Sequence, residues 1–315
     1  MRIAAVVVTH NRPQLLKQVL AALRGQTRVP DRVVVVDNAS DEPTRTLLAQ
    51  SAGLTVLRSD TNLGGAGGFA LGIEHACAAG FDWIWLMDDD AIPRPDALAW
   101  LEQAVDGAPL ATGAVCGAVR EFGDIAMVHR RYYGERSAIE RVLPRQAYRK
   151  QAVPVDTASF VGFMVAAQAV EHVGLPERDF FLAYDDTEYS LRLRRAGWAI
   201  WMVPTSIIDH MRATRGRLRS GPFGRKHYFN VRNRIVVARR YASLPALAAG
   251  AAALYGALLW LGSAGRFRPG AFRIFLRAIA DGMACRLGGY PADLARLEAD
   301  AAVSHGLPAR SGKTP

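Results

Sequence analysis

Residues 83–93 read "WIWLMDDDAIP". The apolar run Trp83–Met87 has the length and bulk of a buried strand. It ends in Asp88, Asp89 and Asp90, and Pro93 then breaks the chain. Adjacent carboxylates repel: at about 4 Å and an effective dielectric near 20, two like charges cost roughly 4 kcal/mol. A divalent cation offsets that cost, and oxygen ligands suit Mg²⁺ or Mn²⁺. One reading of the stretch is therefore a strand tip that holds a cation bridged to phosphate. The other is a solvated acidic loop.

Working outward, strand-like and helix-like stretches alternate. "IAAVVV" (Ile3–Val8) is β-branched and apolar, and "PQLLKQVLAALRGQ" follows with helical spacing between Pro13 and Gly25. "RVVVVDNAS" is a second strand, "EPTRTLLAQSAG" a helix and "LTVLRS" a strand. "GGFALGIEHACAAG" is a helix after a glycine loop, and "WIWLM" is the next strand. This order implies an α/β fold with a mostly parallel sheet and helices on both faces. Ligands of such sheets bind beyond the carboxyl ends of the strands. Thr9-His10-Asn11-Arg12, Asp37-Asn38, Asn62 and the three aspartates all fall there.

Downstream, "FVGFMVAA" reads as a strand, "DDTEYSLRLRRAG" as a helix and "AIWMVP" as a strand, while residues 115–159 are less clear. Asp185, Asp186 and Glu188 open that helix, where the macrodipole favours negative charge. Capping explains one of them. Phe180, Phe181 and Tyr184 just before suggest a half-buried pocket wall, in which a carboxylate can act as general base. His210 in "IIDHMRATRG" is either structural or, behind two acidic motifs, a metal or phosphate ligand. "NLGGAGGFALG" (Asn62–Gly72) lets backbone N–H groups approach a phosphate or sugar, although its spacing fits neither the dinucleotide nor the Walker pattern.

Net charge is +10 over 315 residues, but its distribution is uneven. Met211–Ala280 carries 14 Lys and Arg and no Asp or Glu, whereas the rest has 25 basic and 29 acidic residues. Such asymmetry points to an anionic partner. Aromatics do not interleave with the arginines as stacking platforms, so nucleic acid is not expected. Ala242–Gly265 is 24 residues without a charge, between basic flanks. It is long enough to span a bilayer, but its Ala, Gly and Pro245 favour helices lying on an anionic membrane surface, with Tyr255 and Trp260 at headgroup level. The strand-like run straight after Met1 gives no sign of a secretory leader. Cys77, Cys116 and Cys285 are too scattered for a metal box and fit a reducing compartment.

Taken together, "VVVTHNR", "VVVDNAS", "NLGGAGGFALG", "WLMDDDAIP", "FFLAYDDTEYSLRLRRAGW" and "RNRI" resemble the nucleotide-sugar-dependent glycosyltransferases of family 2, over roughly residues 1–240. Within that family the pattern is similar to bacterial galactofuranosyltransferases and to rhamnosyltransferases of lipid-linked glycan assembly. The resemblance implies the GT-A (Rossmann-like) fold and an inverting, metal-dependent sugar transfer. It implies that Thr9, Arg12 and Asp37 hold the nucleotide base and ribose, and that Asn62, Gly64 and Gly65 approach the donor. Asp88 and Asp90 match the metal-binding acidic motif, with Asp88 and Asp89 also in reach of the donor, and His210 matches a histidine completing the metal site. Asp186 matches the catalytic base, with Asp185 beside it. Arg232 and Asn233 match an "RN" pair to which the sequence gives no role.

The expected enzyme moves galactofuranose or rhamnose from a UDP- or dTDP-sugar to a polyprenyl-diphosphate-linked or other glycan acceptor in cell-envelope polysaccharide synthesis. Its cofactor is Mn²⁺ or Mg²⁺. It is cytoplasmic and peripheral on the inner face of the plasma membrane. Residues 1–240 would form the catalytic domain, 241–305 a helical membrane-associating region and 306–315 a disordered tail. A sugar-phosphate nucleotidyltransferase is an alternative, but "VVVTHNRPQ" lacks its Gly-rich triphosphate loop. A non-catalytic basic membrane-binding protein is another, which leaves both acidic motifs unexplained.

Overall fold

Ile3–Thr9 (β1) is buried along its whole length, which a strand achieves only with neighbours on both edges and helices on both faces. The computed structural model describes residues 1–108, 111–213, 222–264, 266 and 269–297. The expected tail at 306–315 and residues 214–221 of the basic segment lie outside the described residues. The chain forms two units. The first comprises residues 1–133, 140–178 and 185–213; the second holds 134–139, 179–184 and the described residues from 222 onward.

In the first unit, β1 is followed by α1 (Pro13–Arg24), β2 (Arg32–Asn38), α2 (Glu42–Gln50), β3 (Leu54–Ser59), α3 (Gly64–Ala78) and β4 (Trp83–Asp88). Leu16, Val19, Leu20 and Leu23 form the buried stripe of α1, the spacing of one helical face. The four strands are mutually parallel, in the order β4-β1-β2-β3. Next come β5 (Ala91–Pro93), α4 (Ala97–Asp106), β6 (Thr112–Glu121), β7 (Asp124–Ile125), β8 (Arg130–Gly134), β9 (Ile139–Val142), β10 (Val153–Pro154), β11 (Thr157–Ala158) and β12 (Phe163–Ala166). α5 (Ala167–Val173), α6 (Asp185–Arg195) and β13 (Ala199–His210) complete this unit. The main sheet runs β10-β13-β6-β12-β4-β1-β2-β3, and β12 is antiparallel to both its neighbours. The sheet is thus parallel in its N-terminal half and mixed beyond β4. A small sheet pairs β11, β8 and β9.

Two elements extend beyond their sequence-based bounds. Helix α3 begins at Gly64, so the expected glycine loop is its first turn. The cause is packing. A Cβ on Gly68 would meet Val8 Cγ1 at 2.6 Å, and one on Gly72 would meet Val6 Cγ1 at 2.3 Å. The helix therefore rests directly on β1, and an added methyl would cost about 1–3 kcal/mol in overpacking. Strand β13 runs past "AIWMVP" to His210, with a register irregularity against β6 between Val203 and Ile207. Pro204 hides this continuation in the sequence, because proline ordinarily marks a strand end or a bulge.

The second unit is built from α7 (Arg225–Tyr241), α8 (Pro245–Gly262) and α9 (Pro269–Met283). Its core includes Phe229, Ile235, Ala252, Leu259, Ile274 and Phe275. A Cβ on Gly256 would meet Val231 Cγ1 at 2.7 Å, so the Ala/Gly composition of α8 serves close helix contact. Among the described residues α8 is the helix long and apolar enough to cross a membrane, with 28% of it buried. Its exposed residues include Leu247 (70%), Leu254 (64%), Leu258 and Leu261. Tyr255 instead carries the Arg234 guanidinium at 4.0 Å, and Trp260 stacks on Phe275 at 5.6 Å. The outward apolar face is leucine.

Candidate active site

Strand register sets the first residues side by side. In the β1–β4 pairing Val8 lies opposite Asp88, and in the β1–β2 pairing Thr9 lies opposite Asp37. The chain then reverses after β4, and β5 pairs antiparallel with β13, which puts Ala91 opposite His210. Met211 N–H donates to the Asp90 carbonyl at 2.8 Å and closes this turn. The three aspartates therefore sit where the ends of β1, β4 and β13 meet.

Each aspartate has a different environment. The buried Asp89 accepts from Thr9 Oγ1 at 2.8 Å, from His10 N–H at 3.3 Å and from Arg12 Nη1 at 3.1 Å. Burial, then Asp90, pushes it up to about 6 against the pull of Arg12 and Thr9. Asp90 accepts from Arg12 Nη1 at 2.7 Å, and its Oδ1 lies 3.2 Å from His210 Nε2. Burial opposes its ionisation, but the His210 and Arg12 contacts hold it below the usual carboxylate range. Asp88 is pushed up to about 7 by burial first and the Asp90 charge second. Part of the mutual repulsion is thus met by Arg12 and His210. The rest stays on Asp88, which lacks a full countercharge.

Asp88, Asp90 and His210 each offer a ligand atom, and these atoms lie within 4.8 Å of one another. Two carboxylates and an imidazole suit Mn²⁺ or Mg²⁺ with water and phosphate oxygens in the remaining positions. The residues present fit such an ion.

Asp185 and Asp186 begin α6. Asp185 is buried and is raised well above the carboxylate range by burial, by Asp186 and by the charge of Asp88. The two acidic motifs therefore share one electrostatic field. Asp186 is half-buried and also raised, by burial first, while Arg131 and the Thr187 N–H at 2.6 Å pull the other way. A carboxylate with a raised pKa is a better proton acceptor than an exposed one.

The remaining expected residues divide. Asp37 is buried, paired with Arg58, and accepts from Ser40 N–H at 2.9 Å. Asn62 Oδ1 accepts from Gly64 N–H at 2.8 Å and from Asn38 Nδ2 at 3.2 Å. Gly64 has φ +71, and a Cβ on Gly65 would meet nothing within 4 Å. The start of α3 is thus open at Gly65, whereas Gly64 is buried and Gly67, Gly68 and Gly72 are packing positions. In the second unit, Asn233 aims its amide at the carbonyls of Phe180, Leu182 and Ala183. The buried Arg232 donates to the carbonyls of Asp179, Phe180 and Gly288. The "RN" pair satisfies the backbone of a segment in which Phe181, Ala183 and Tyr184 all have positive φ.

The sequence reading missed Glu121 and His129. Glu121 ends β6 and accepts from His210 Nδ1 at 2.8 Å and His129 Nε2 at 3.0 Å. Its only sequence signal was a charged residue closing an apolar strand before the Phe122-Gly123 turn.

The profile of "Glycosyltransferase like family 2" matches residues 1–236. The chain is similar to Galactofuranosyltransferase GlfT1 of Mycobacterium tuberculosis, 36% identical over 210 residues, covering 61% of this chain and 64% of that protein. It thus spans less than two thirds of that relative's length. It is also similar to the dTDP-rhamnosyl transferase RfbF of Shigella flexneri, 28% identical over 218 residues, covering 66% and 68% of the two chains. Among solved structures, the mannosyltransferase PcManGT from Pyrobaculum calidifontis in complex with GDP-Man and Mn²⁺ superposes with a TM-score of 0.57 at 20% identity, covering 98% of this chain and 81% of that one. At that identity the likeness concerns the fold, which is the arrangement the sequence motifs implied.

Proposed function

The chain belongs to glycosyltransferase-like family 2, and from that premise we propose that it is an inverting, metal-dependent glycosyltransferase. Its donor is a UDP- or dTDP-sugar, with galactofuranose or rhamnose as the sugar. The observation that carries this reading is the convergence of Asp88, Asp90 and His210 beside a buried acidic pair of raised pKa. The names of the galactofuranosyl and rhamnosyl relatives support the donor class. The Mn²⁺ named with the mannosyltransferase structure supports the cofactor.

Asp88, Asp90 and His210 would hold the ion, and Arg12 donates to Asp89 and Asp90 and so fixes both carboxylates. When bound, the ion neutralises charge developing on the departing diphosphate. Thr9, Arg12 and Asp37 would contact the nucleotide. Asn62, Gly64 and Gly65 at the start of α3 would approach the donor, with Asp88 and Asp89 within its reach. Asp186 takes the proton of the acceptor hydroxyl on a carboxylate oxygen. That hydroxyl oxygen then attacks the anomeric carbon from the face opposite the diphosphate, so configuration inverts. One catalytic carboxylate suffices, because no side-chain acid is needed at the leaving group.

The acceptor we propose is a polyprenyl-diphosphate-linked saccharide presented at the cytoplasmic membrane surface. The basic residues of Met211–Ala280 and the leucine face of α8 support it. The deciding assay measures nucleotide diphosphate release from UDP-galactofuranose and dTDP-rhamnose, with Mn²⁺ and with EDTA. Release that requires the metal and one of these donors is expected. A thermal-shift panel with the same donors reads binding independently, since a ligand of the native state raises its Tm. No release and no shift with any nucleotide sugar would overturn the reading.

A further inference from the structure

The His210 ring lies between two carboxylates. Its Nε2 faces Asp90 Oδ1 at 3.2 Å, and its Nδ1 meets Glu121 Oε1 at 2.8 Å. Parallel strands produce this. β6 and β13 pair with Asp209 opposite Arg120, so His210 and Glu121 end adjacent strands together. Glu121 is itself held from the far side. His129 Nε2 meets the same Oε1 at 3.0 Å, and Arg212 Nη1 lies 3.4 Å from Oε2. His129 Nδ1 meets Ser159 Oγ at 2.7 Å, and the fully buried Arg130 donates to Ser159 Oγ at 3.2 Å.

Hydrogen-bond accounting along this chain leaves little freedom. An ionised carboxylate only accepts, so both ring nitrogens that face Glu121 must carry their protons. In a neutral His129 ring, Nδ1 then accepts from the Ser159 hydroxyl, whose lone pair is engaged by Arg130. His210 Nε2 also faces a carboxylate and shares a proton with Asp90; a histidine ligand is neutral, and in that form the lone pair is on Nε2, the nitrogen that faces the cation site. Which nitrogen a histidine offers to a metal is set by the hydrogen bond its other nitrogen makes. The two rings meet edge to face with centroids 5.4 Å apart, which restricts rotation of either.

We propose that Glu121, locked by the His129–Ser159 pair, is a positioning residue that fixes the His210 ring so that Nε2 is offered to the cation held with Asp88 and Asp90. The inference rests on the metal site of the proposed function. Among the described residues, Glu121, His129 and His210 also form a group whose ligand atoms lie within 4.8 Å. Their facing nitrogens and oxygens are taken up by hydrogen bonds to one another, so this cluster acts as a support for the neighbouring site.

The test is Mn²⁺ binding to the full chain without donor or acceptor, by titration calorimetry and by the paramagnetic resonance signal of free Mn²⁺. The proteins are wild type, Glu121→Gln, His210→Ala, the double variant and Asp90→Ala, each with an intact unfolding transition. Glu121→Gln is expected to weaken Mn²⁺ binding about 10- to 100-fold, the usual effect of losing a carboxylate that orients a ligand histidine. Because Glu121 acts through His210, that loss should vanish in the His210→Ala background. Unchanged binding by Glu121→Gln overturns the positioning role and leaves the metal reading standing. Equal loss in both backgrounds also overturns it, since a general structural effect would be additive. Wild type and Asp90→Ala binding Mn²⁺ alike would overturn the metal reading, and the proposal with it. If Glu121→Gln does not fold, His129→Gln gives the same comparison from the far side. A loss with His129→Gln as complete as with Asp90→Ala would mean that His129 is itself a ligand, and would overturn the proposal.

Discussion

Asp90 Oδ1 and His210 Nε2 lie 3.2 Å apart because β5, the short strand directly after the acidic turn, pairs antiparallel with the end of β13. The contact depends on backbone pairing more than on either side chain. Asp90→Ala therefore removes a carboxylate without dismantling the turn, and leaves Arg12 paired with Asp89. Turnover is expected to fall by about 10²- to 10³-fold, the range seen when a preorganised charge-stabilising group is lost. Donor binding should weaken as well. His210→Ala should act in the same direction but less, since water can take one position at the ion. Steady-state kinetics across an Mn²⁺ titration measures both. Near-normal turnover of Asp90→Ala in EDTA would sink the metal assignment.

The acidic pair separates binding from chemistry. Asp186→Asn keeps the size of the side chain but cannot take a proton, so transfer should fall by about 10²- to 10⁴-fold while UDP-sugar binding is retained. Asp185→Asn should be milder, because burial and the Asp186 charge raise Asp185 well above the carboxylate range, so that a neutral amide resembles its protonated form. Single-turnover transfer alongside calorimetric donor binding makes the distinction. A larger loss of kcat for Asp185→Asn would reverse the two roles.

His129 gives the metal-free protein a readable pH dependence. Burial first, then Arg130 and His210, lowers it to about 4 against the hydrogen bond it donates to Glu121. An unfolded histidine titrates near 6.5. Below that pH the unfolded chain takes up a proton that the folded ring refuses. His129 thus contributes stability above about pH 6.5 that is lost as pH falls toward 4, on the order of 3 kcal/mol in all. Asp88 and Asp89, raised to about 7 and about 6, act oppositely, since their folded forms hold protons that the unfolded chain has released. The wild-type curve therefore mixes the terms, and the comparison with His129→Gln isolates one. In EDTA, urea unfolding from pH 7 to 5 should cost wild type more stability than the variant. Parallel curves would mean that the ring is not held neutral.

Much of this was legible in the sequence. Runs such as Ile3–Val8 and Trp83–Met87 fix buried strands, and the polar residues that follow them mark the strand ends where the site forms. Three things were hidden for physical reasons. The glycines of α3 read as a phosphate loop, because close packing on Val6 and Val8 and close approach to a ligand demand the same residue. The end of β13 was masked by Pro204, tolerated where the pairing with β6 is irregular. Glu121 belongs to no local motif, and only the β6–β13 register brings it to His210. Arg232 and Asn233 stood out in sequence, but the carbonyls they satisfy lie in a distant segment.

The leucine face of α8 leads to a prediction about the membrane. Leu254 and Leu258 are 64% and 59% exposed, one helical turn apart, while Ala252, Gly256 and Leu259 of the same helix face inward. An apolar face beside basic segments suits a helix lying in the plane of an anionic leaflet. Leu254→Lys with Leu258→Lys should leave folding almost unchanged, since exposed positions rarely move stability by more than about 0.5 kcal/mol. Two leucines withheld from the acyl boundary forfeit about 3 kcal/mol or more. Near the anionic surface each new lysine returns on the order of 1 kcal/mol. The net effect is a roughly tenfold weaker partition at low salt, growing as salt screens the lysines. Vesicle flotation with phosphatidylglycerol at low and high salt reads this out. Wild type should be released substantially by high salt followed by alkaline wash, and the variant by high salt alone. Full retention of wild type after both washes, with the C-terminus open to protease from the far side, would instead establish that residues 245–262 cross the bilayer.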